Sequence, residues 1–209
     1  MIHSKLHTAG ADILIWEVTE TETELLSLLS NFDIYKSEYE QLKSAKRKLE
    51  FLAARVALNT LTGFEINVQY TPEGKPICAN ADLQISISHS GKWIAVITHT
   101  TKMVGIDIEL PTDKFQKLYQ RFLNKKEQNI LFCATDLRKV QLAWSAKEAL
   151  YKIIGSEAVN FDKQLEIMDF TINNSGSFTG IHTVSNKKYT LHYTINEAFN
   201  LVYCVNSMS

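Results

Sequence analysis

Residues 144–152 read W-S-A-K-E-A-L-Y-K, and this stretch decides how the second half of the chain is interpreted. Because neighbouring residues on a helix are about 100° apart, it divides into two faces. One face is an apolar stripe of the kind that packs on a core: Ala146, Ala149, Leu150 and Ile153. The other face mixes rings with charges: Trp144, Lys147, Glu148, Tyr151 and Lys152. A face that only meets solvent seldom carries two aromatic rings, so both faces of this helix are predicted to make contacts.

An internal similarity links this helix to an earlier one. Residues 53–63 (A-A-R-V-A-L-N-T-L-T-G) align without gaps on residues 145–155 (S-A-K-E-A-L-Y-K-I-I-G), at an offset of 92. Downstream, W-I-A-V-I at 93–97 is similar to F-N-L-V-Y at 199–203. Two interpretations are open: amphipathic helices that end in glycine resemble one another, or a helix-plus-strands unit has been duplicated. Duplication predicts two half-domains related by a pseudo-twofold axis, with a seam near residue 103 and a ligand site between them.

Composition excludes several classes of protein. The 209 residues suit one large domain or two small ones, and a net charge of −1 gives no basic field for nucleic acid. Three scattered cysteines without a C-x-x-C pair indicate neither a zinc site nor a disulfide framework, and they favour a reducing cytoplasm. The first ten residues lack the apolar segment of a signal peptide, and the longest apolar run is about five residues, so no membrane span is expected.

Hydrophobic periodicity and turn residues predict an α+β fold, because strands and helices do not alternate regularly. The predicted elements, in chain order, are a strand at 11–18, one or two helices over 38–61, a turn at 71–76, a hairpin over 85–98, a strand at 104–109, helices at 113–133 and 137–154, and strands over 167–205.

The strand at 104–109, V-G-I-D-I-E, places two carboxylates on one face. Asp107 and Glu109 alternate with Ile106 and Ile108, and two carboxylates side by side repel unless a cation lies between them. Mg²⁺ prefers such hard oxygen ligands together with substrate phosphates. Alone, the pattern is weak, because D-x-E on a half-exposed strand is usually a solvated surface. Glu148 meeting this pair would strengthen the case for a metal.

Basic residues upstream could bind phosphate. His89 lies in an S-H-S-G turn whose amides and hydroxyls are suitable phosphate donors, and Lys75 lies in a rigid G-K-P turn. Five cations lie within the predicted helical segment 38–61: Lys43, Lys46, Arg47, Lys48 and Arg55. Each of these features is also typical of an ordinary solvated surface, so none is decisive by itself.

Taken together and in this order, the basic helix, G-K-P, S-H-S, G-I-D-I-E and W-S-A-K-E-A-L-Y-K resemble the 4′-phosphopantetheinyl transferases. The likeness is to the monomeric surfactin-type branch, which is built from two fused pseudo-symmetric halves, and it covers residues 40–155. It implies an α+β fold of two similar half-domains, each a helix plus a small antiparallel sheet. Residues 1–103 would form the coenzyme A-binding half, and residues 104–209 the half with the metal and the catalytic helix.

The resemblance also implies an activity. Such enzymes, including the holo-[acyl-carrier-protein] synthase type, move the 4′-phosphopantetheine of coenzyme A to a serine of an apo acyl or peptidyl carrier protein. They depend on Mg²⁺ and release adenosine 3′,5′-bisphosphate. A cytoplasmic monomer without nucleic-acid or membrane partners is expected.

Specific residues follow from the matched motifs. The implied metal ligands are Asp107, Glu109 and Glu148, with Glu148 or a metal-bound water as the base and Lys152 beside the reacting phosphate. The implied coenzyme A-binding residues are Lys46, Arg47, Arg55, Lys75, Ser88, His89, Lys147 and Lys152. Trp144 is expected to pack the helix in place. Phe122 and Glu127 match a family F-x(4)-E element, which is expected to face the carrier protein.

Three rival functions make different demands on the sequence. A coenzyme A-binding module without catalysis would lack a metal ligand or Lys152, and neither is missing. A Mg²⁺-dependent phosphohydrolase would explain the paired carboxylates but not the S-H-S and W-S-x-K-E elements. A structural protein would need all the ordered motifs to be solvated surface.

Overall fold

The structure is a computed structural model that describes residues 1–155 and 159–206. It confirms the predicted α+β class. The described helices are α1 (Glu22–Ser27), α2 (Asp33–Gln41), α3 (Ala45–Thr62), α4 (Phe115–Leu118), α5 (Lys125–Leu131), α6 (Arg138–Ile154) and α7 (Phe161–Gln164). The described strands are β1 (Ile2–Thr8), β2 (Ala11–Glu17), β3 (Val68–Tyr70), β4 (Pro76–Cys78), β5 (Gln84–Ser90), β6 (Trp93–His99), β7 (Met103–Glu109), β8 (Leu165–Ile167), β9 (Ser175–His182), β10 (Lys187–Ile195) and β11 (Asn200–Asn206).

The chain forms two compact units, of which the first is Met1–Met103. Its antiparallel sheet has the strand order β1-β2-β6-β5, and β3 and β4 form a separate ribbon. The helix α3 packs on β2 and β6 and closes a core that includes Leu52, Val56 and Ile94. The predicted hairpin is present as β5 and β6, in which Ser90 pairs with Trp93 across a turn at Gly91.

The second unit begins at Val104 and contains a sheet in the order β7-β11-β10-β9-β8. The helix α6 packs on this sheet, chiefly on β11, through buried residues such as Leu142, Ala146 and Leu150. The predicted helix over residues 113–133 is wrong, since the segment is broken into α4, a short 3-10 turn and α5. Asn124 starts α5 as an N-cap, with its side chain accepting from the Glu127 amide, and this capping box separates the two helices.

Two elements of the first unit have no clear sequence signal. The strand β1 is almost entirely exposed, so its residues need no apolar alternation, and it was not predicted. The helix α1 is only six residues long, and its capping box of Thr21 and Glu24 is its main local signature.

The two long helices agree in how they end and in what they pack on. Gly63 follows α3 with φ +81°, and Gly155 follows α6 with φ +63°, at the positions that the internal alignment equates. The similar segments 93–97 and 199–203 lie in β6 and at the start of β11. In each unit the long helix packs on this strand, α3 on β6 and α6 on β11. These likenesses support duplication of a helix-plus-strands unit, and the pseudo-twofold relation stays a prediction.

Across the described residues, every helix is too short or too polar to span a bilayer.

Candidate functional site

A glycine of β7 lets α6 lie directly against that strand. A Cβ at Gly105 would stand 2.1 Å from the Ala149 carbonyl oxygen and 3.0 Å from Ile153 Cγ1. Neither atom can yield cheaply, because one is helix backbone and the other is a buried side chain. The glycine of G-I-D-I-E therefore allows the close approach that sets Glu148, next to Ala149, near the carboxylates of β7.

Polar side chains of α6 contact β7 and the segment after it. Residues later in the helix contact residues earlier in the strand. Lys152 Nζ donates to the Ile106 carbonyl oxygen at 2.7 Å and to Asp107 Oδ1 at 3.2 Å. About two turns towards the helix start, Trp144 Nε1 donates to Glu109 Oε1 at 3.1 Å. The resemblance implied that Lys152 lies beside a phosphate, and its contact with this strand was not predicted. The role of Trp144 was missed, since packing alone was expected of it.

Gln141 continues this line of contacts beyond the strand. Its side-chain amide donates to the Thr112 carbonyl oxygen and accepts from Asn200 Nδ2 at 2.6 Å. Both amide side chains are buried, at 5% and 2% exposure. The segment that follows Glu109 is thus also hydrogen-bonded to α6. No sequence motif indicated this contact.

Glu148 is the group whose acidity the site changes most clearly. Burial and, less strongly, the negative charges of Asp107 and Glu109 together raise the pKa of its carboxyl to about 7, against the opposing effect of Lys152. Asp107 is itself buried, with 5% of its surface exposed. Three carboxylates lie in mutual electrostatic range, with the Lys152 ammonium at Asp107 and the exposed Lys114 ammonium at Glu109. The net charge is negative, so the site attracts a cation and can hold a proton near neutral pH.

The donor set fits a hard divalent cation by its chemistry, because all three side chains offer carboxylate oxygens. Within residues 1–155 and 159–206, no group of three or more acidic, histidine or cysteine side chains stands in a metal-binding arrangement. Lys152 and Trp144 instead contact Asp107 and Glu109. The assignment of Asp107, Glu109 and Glu148 as metal ligands therefore stays a prediction.

Lys147 does not lie at this site, and its assignment to coenzyme A binding is wrong. Its side chain is fully buried, and its ammonium donates to the Glu127 carboxylate and to backbone carbonyl oxygens. An ammonium with these partners cannot meet a phosphate without breaking them. Phe122 and Glu127 are also buried, at 2% and 0%, so their side chains serve the interior, and the expectation that the helix and loop of this element face a carrier protein stays a prediction.

The first unit holds a separate cavity of about 280 Å³ beside α3. One face of α3 supplies Arg47, Glu50, Phe51, Ala54 and Arg55, because these positions recur every three or four residues. The other lining residues come from α2, the segment after it, β3 and β5: Glu38, Leu42, Tyr70, Ile87 and His89.

Glu50 gathers three cationic or titratable side chains at this cavity. Its carboxylate lies 3.6 Å from Lys46 Nζ, 3.4 Å from an Arg47 nitrogen and 3.6 Å from His89 Nδ1. A second Arg47 contact reaches His89 Nε2 at 3.4 Å. These separations exceed those of a strong hydrogen bond, so Glu50 acts as a shared counter-ion. The cluster brings together Lys46, Arg47 and His89 as predicted, whereas Glu50 was missed although its i+3 spacing from Arg47 could have indicated it.

Arg55 lies at the inner wall of the same cavity with 2% of its surface exposed. It donates to Glu38 at 3.1 Å and to the Tyr70 hydroxyl at 3.2 Å, and its guanidinium carbon lies 3.6 Å from the Phe51 ring centre. A stacked and paired guanidinium is held rigidly, so Arg55 fixes the wall of the cavity.

Two other predicted residues lie apart from this cluster. Ser88 is buried and precedes the exposed His89 on β5, so its side chain points to the opposite face of the strand. The structure therefore does not bring the Ser88 hydroxyl beside His89. Lys75 lies in the predicted turn between β3 and β4, where burial lowers the pKa of its ammonium, and it is not among the residues lining the cavity.

The cluster on β7 and α6 combines three carboxylates with a lysine, a charge pattern that attracts a cation. Residues 103–204 match the family described as the 4′-phosphopantetheinyl transferase superfamily. The match covers just under half of the chain, and over that segment the chain is similar to this superfamily.

Two relatives carry the same name. The Phosphopantetheinyl transferase of Thraustochytrium sp. is 30% identical over an alignment of 130 residues, which covers 50% of this chain and 45% of the relative. The 4′-phosphopantetheinyl transferase AcpT of Salmonella typhimurium is 31% identical over an alignment of 126 residues, which covers 56% of this chain and 65% of the relative. The chain thus matches about half to two thirds of the length of these curated relatives.

Proposed function

We propose that the chain transfers the 4′-phosphopantetheine of coenzyme A to a serine of an apo acyl or peptidyl carrier protein, as a surfactin-type member of that superfamily. The observation that carries the proposal is the cluster of Asp107, Glu109, Glu148 and Lys152 in the unit that matches the family. In the reaction, the serine oxygen forms a bond to the phosphorus nearer the pantetheine. The pyrophosphate P–O bond breaks, and adenosine 3′,5′-bisphosphate leaves.

Each residue of the carboxylate–lysine cluster has a role in this proposal. Asp107, Glu109 and Glu148 would hold Mg²⁺, which when bound neutralises phosphate oxygens and favours departure of the bisphosphate. Glu148, or a water held by the metal, would accept the serine proton, because Glu148 is the carboxylate of α6 that lies in electrostatic range of Asp107 and Glu109. Lys152 donates to the reacting phosphate from the position where it now contacts Asp107.

Residues of the first unit are assigned to the adenosine end of coenzyme A. Arg47, His89 and Lys46 would bind phosphate, because they already converge on the Glu50 carboxylate. Arg55 would act from the wall of the cavity, and Lys75 from the neighbouring turn. The division of labour between residues 1–103 and 104–209, the monomeric state and the cytoplasmic location are part of the proposal.

The test measures adenosine 3′,5′-bisphosphate released from coenzyme A and MgCl₂ with an apo carrier protein, and with the same carrier after serine-to-alanine substitution. Release that requires both the carrier and its serine supports transfer. Release without any carrier indicates a Mg²⁺-dependent phosphohydrolase. Binding of coenzyme A by calorimetry without release, over several acyl and peptidyl carriers, indicates a binding module and overturns the proposal.

A further inference from the structure

A buried ion pair lies behind the carboxylate site of the second unit. Lys147 and Glu127 are both 0% exposed, and their charged groups are 2.7 Å apart. The ammonium also contacts three backbone carbonyl oxygens, those of Phe122 at 2.8 Å, Leu165 at 2.8 Å and Phe161 at 2.9 Å. The carboxylate accepts the amides of Asn124 and Ile167, each at 2.8 Å.

The pair is an unusual choice if stability alone is at stake. Burial raises the pKa of the Glu127 carboxyl and lowers that of the Lys147 ammonium, so desolvation opposes both charges. Replacing a buried ion pair by apolar side chains of similar volume is often neutral or stabilising. An apolar side chain, however, cannot donate hydrogen bonds to three carbonyl groups from separate segments of the chain. The single ammonium of Lys147 contacts all three.

Two of these carbonyl groups belong to residues whose rings enclose Trp144. The ring centre of Phe122 lies 5.1 Å from that of Trp144, and the ring centre of Phe161 lies 5.8 Å from it. The indole in turn donates its Nε1 hydrogen to Glu109. A continuous path of contacts therefore runs from the Lys147 ammonium, through the backbone and rings of two phenylalanines, to a carboxylate of the site.

We propose that Lys147 and Glu127 are a positioning pair, which holds the Trp144 indole and thereby orients the Glu109 carboxylate. That Glu109 serves a metal rests on the proposed function, whereas the path from Lys147 to Glu109 does not. Neither residue of the pair touches substrate, so their effect on catalysis is indirect.

The test follows the Trp144 indole N–H by ¹H–¹⁵N NMR, assigned with Trp144→Phe. Lys147→Met keeps most of the side-chain volume and removes the ammonium. We expect this variant to shift the Trp144 indole resonance and to speed its hydrogen exchange about tenfold, as loss of one hydrogen bond implies. Glu127→Gln leaves the three carbonyl contacts in place and should give a smaller change. The Trp16 indole, which donates to Glu20 in the first unit, is an internal reference.

Lys139→Met is the matched control, because Lys139 is a lysine of the same helix whose ammonium contacts the exposed Asp169 instead. It should leave the Trp144 resonance unchanged. If Lys147→Met does not fold, the double variant Lys147→Met/Glu127→Leu removes both charges and leaves no unpaired buried carboxylate. A folded variant of either kind with an unaltered Trp144 indole overturns the proposal.

Kinetics supply a second readout that a purely structural role would not move. In active protein, the variants should raise the Mg²⁺ concentration needed for half-maximal rate while the KM for coenzyme A changes little. Equal changes in both quantities, at full folding, would contradict a role directed at Glu109. If the wild-type protein has no transferase activity, the proposed function fails, and the NMR result still decides the positioning pair.

Discussion

The Lys152 ammonium lies 3.2 Å from Asp107 Oδ1 and 2.7 Å from the Ile106 carbonyl oxygen. The carboxylate that is proposed to ligate Mg²⁺ is thus already in contact with a cation. A divalent ion at Asp107 must share the carboxylate with this ammonium, so the two cations oppose each other electrostatically. A cation held by Asp107 would leave the Lys152 ammonium available to contact a phosphate.

Replacing Lys152 by Met should separate metal binding from transfer. Removal of the competing charge is expected to tighten Mg²⁺ binding by roughly tenfold, measured by calorimetry. Transfer should nevertheless slow by about a hundredfold or more, because the developing charge loses its donor. Lys114→Met is the control, since Lys114 lies 3.4 Å from Glu109 but is solvent-exposed. Weaker Mg²⁺ binding in Lys152→Met would contradict the competition.

Glu148 should make the protein less stable as pH rises. Its pKa of about 7 in the folded state lies above the ordinary value of 4.5, so the folded chain binds more protons between these values. The free energy of unfolding therefore falls as pH rises from about 4.5 to 7, and Glu148→Gln should remove this fall. The expected gain for the variant at pH 8 is on the order of 2 kcal/mol, measured by urea unfolding with a chelator. Glu197→Gln, an exposed glutamate of the same unit, should follow the wild type.

The same Glu148→Gln variant should lose transfer by about 10²–10⁴-fold if Glu148 is the base. A near-normal rate would mean that a group other than Glu148 accepts the serine proton. Measuring stability and rate on one protein separates a folding defect from a chemical one, because the two are expected to change in opposite directions.

Glu50 should weaken anion binding in the first unit. It places one negative charge among Lys46, Arg47 and His89, so Glu50→Gln is expected to bind adenosine 3′,5′-bisphosphate about threefold to tenfold more tightly at low salt. Glu40→Gln, on the exposed side of α2, is the matched control. If Glu50→Gln binds less tightly, then Glu50 serves mainly to orient the cations.

Gly105 should tolerate no side chain. Alanine there would place a Cβ 2.1 Å from the Ala149 carbonyl oxygen, which forces α6 away from β7. We expect a loss of about 3 kcal/mol in stability and a loss of transfer, measured by unfolding and by rate. Ala149→Gly changes the same contact without a clash and should cost only the ~1 kcal/mol of a helix glycine. Equal stability of Gly105→Ala and wild type would contradict the close approach of β7 and α6.

Local patterns predicted the elements that hold the site. Alternation predicted the hairpin of β5 and β6 and the strand β7, and helical periodicity predicted α6 almost to its ends. These elements are specified by their own residues, because each buries one or both of its faces. The short helices between 113 and 133 were mispredicted, since capping at Asn124 overrode a continuous periodicity.

The contacts of individual side chains were harder to predict, because they depend on partners distant in sequence. Lys147 and Glu148 are neighbours on one helix face, yet one is fully buried and the other reaches the carboxylates of β7. The difference arises from Glu127 and from carbonyl groups at 122, 161 and 165, which no motif connects with Lys147. For Ser88, the period of the strand was sufficient to separate it from His89, but the S-H-S motif was taken as one group.

Intact-mass spectrometry of an apo carrier protein with coenzyme A and MgCl₂ tests the central claim most directly. The wild-type chain should add the mass of one phosphopantetheine to each carrier. Asp107→Asn, which keeps the shape of the side chain but removes its charge, should add none in the same time. An unmodified carrier with wild-type protein across several acyl and peptidyl carriers, or full modification by Asp107→Asn, would contradict the account.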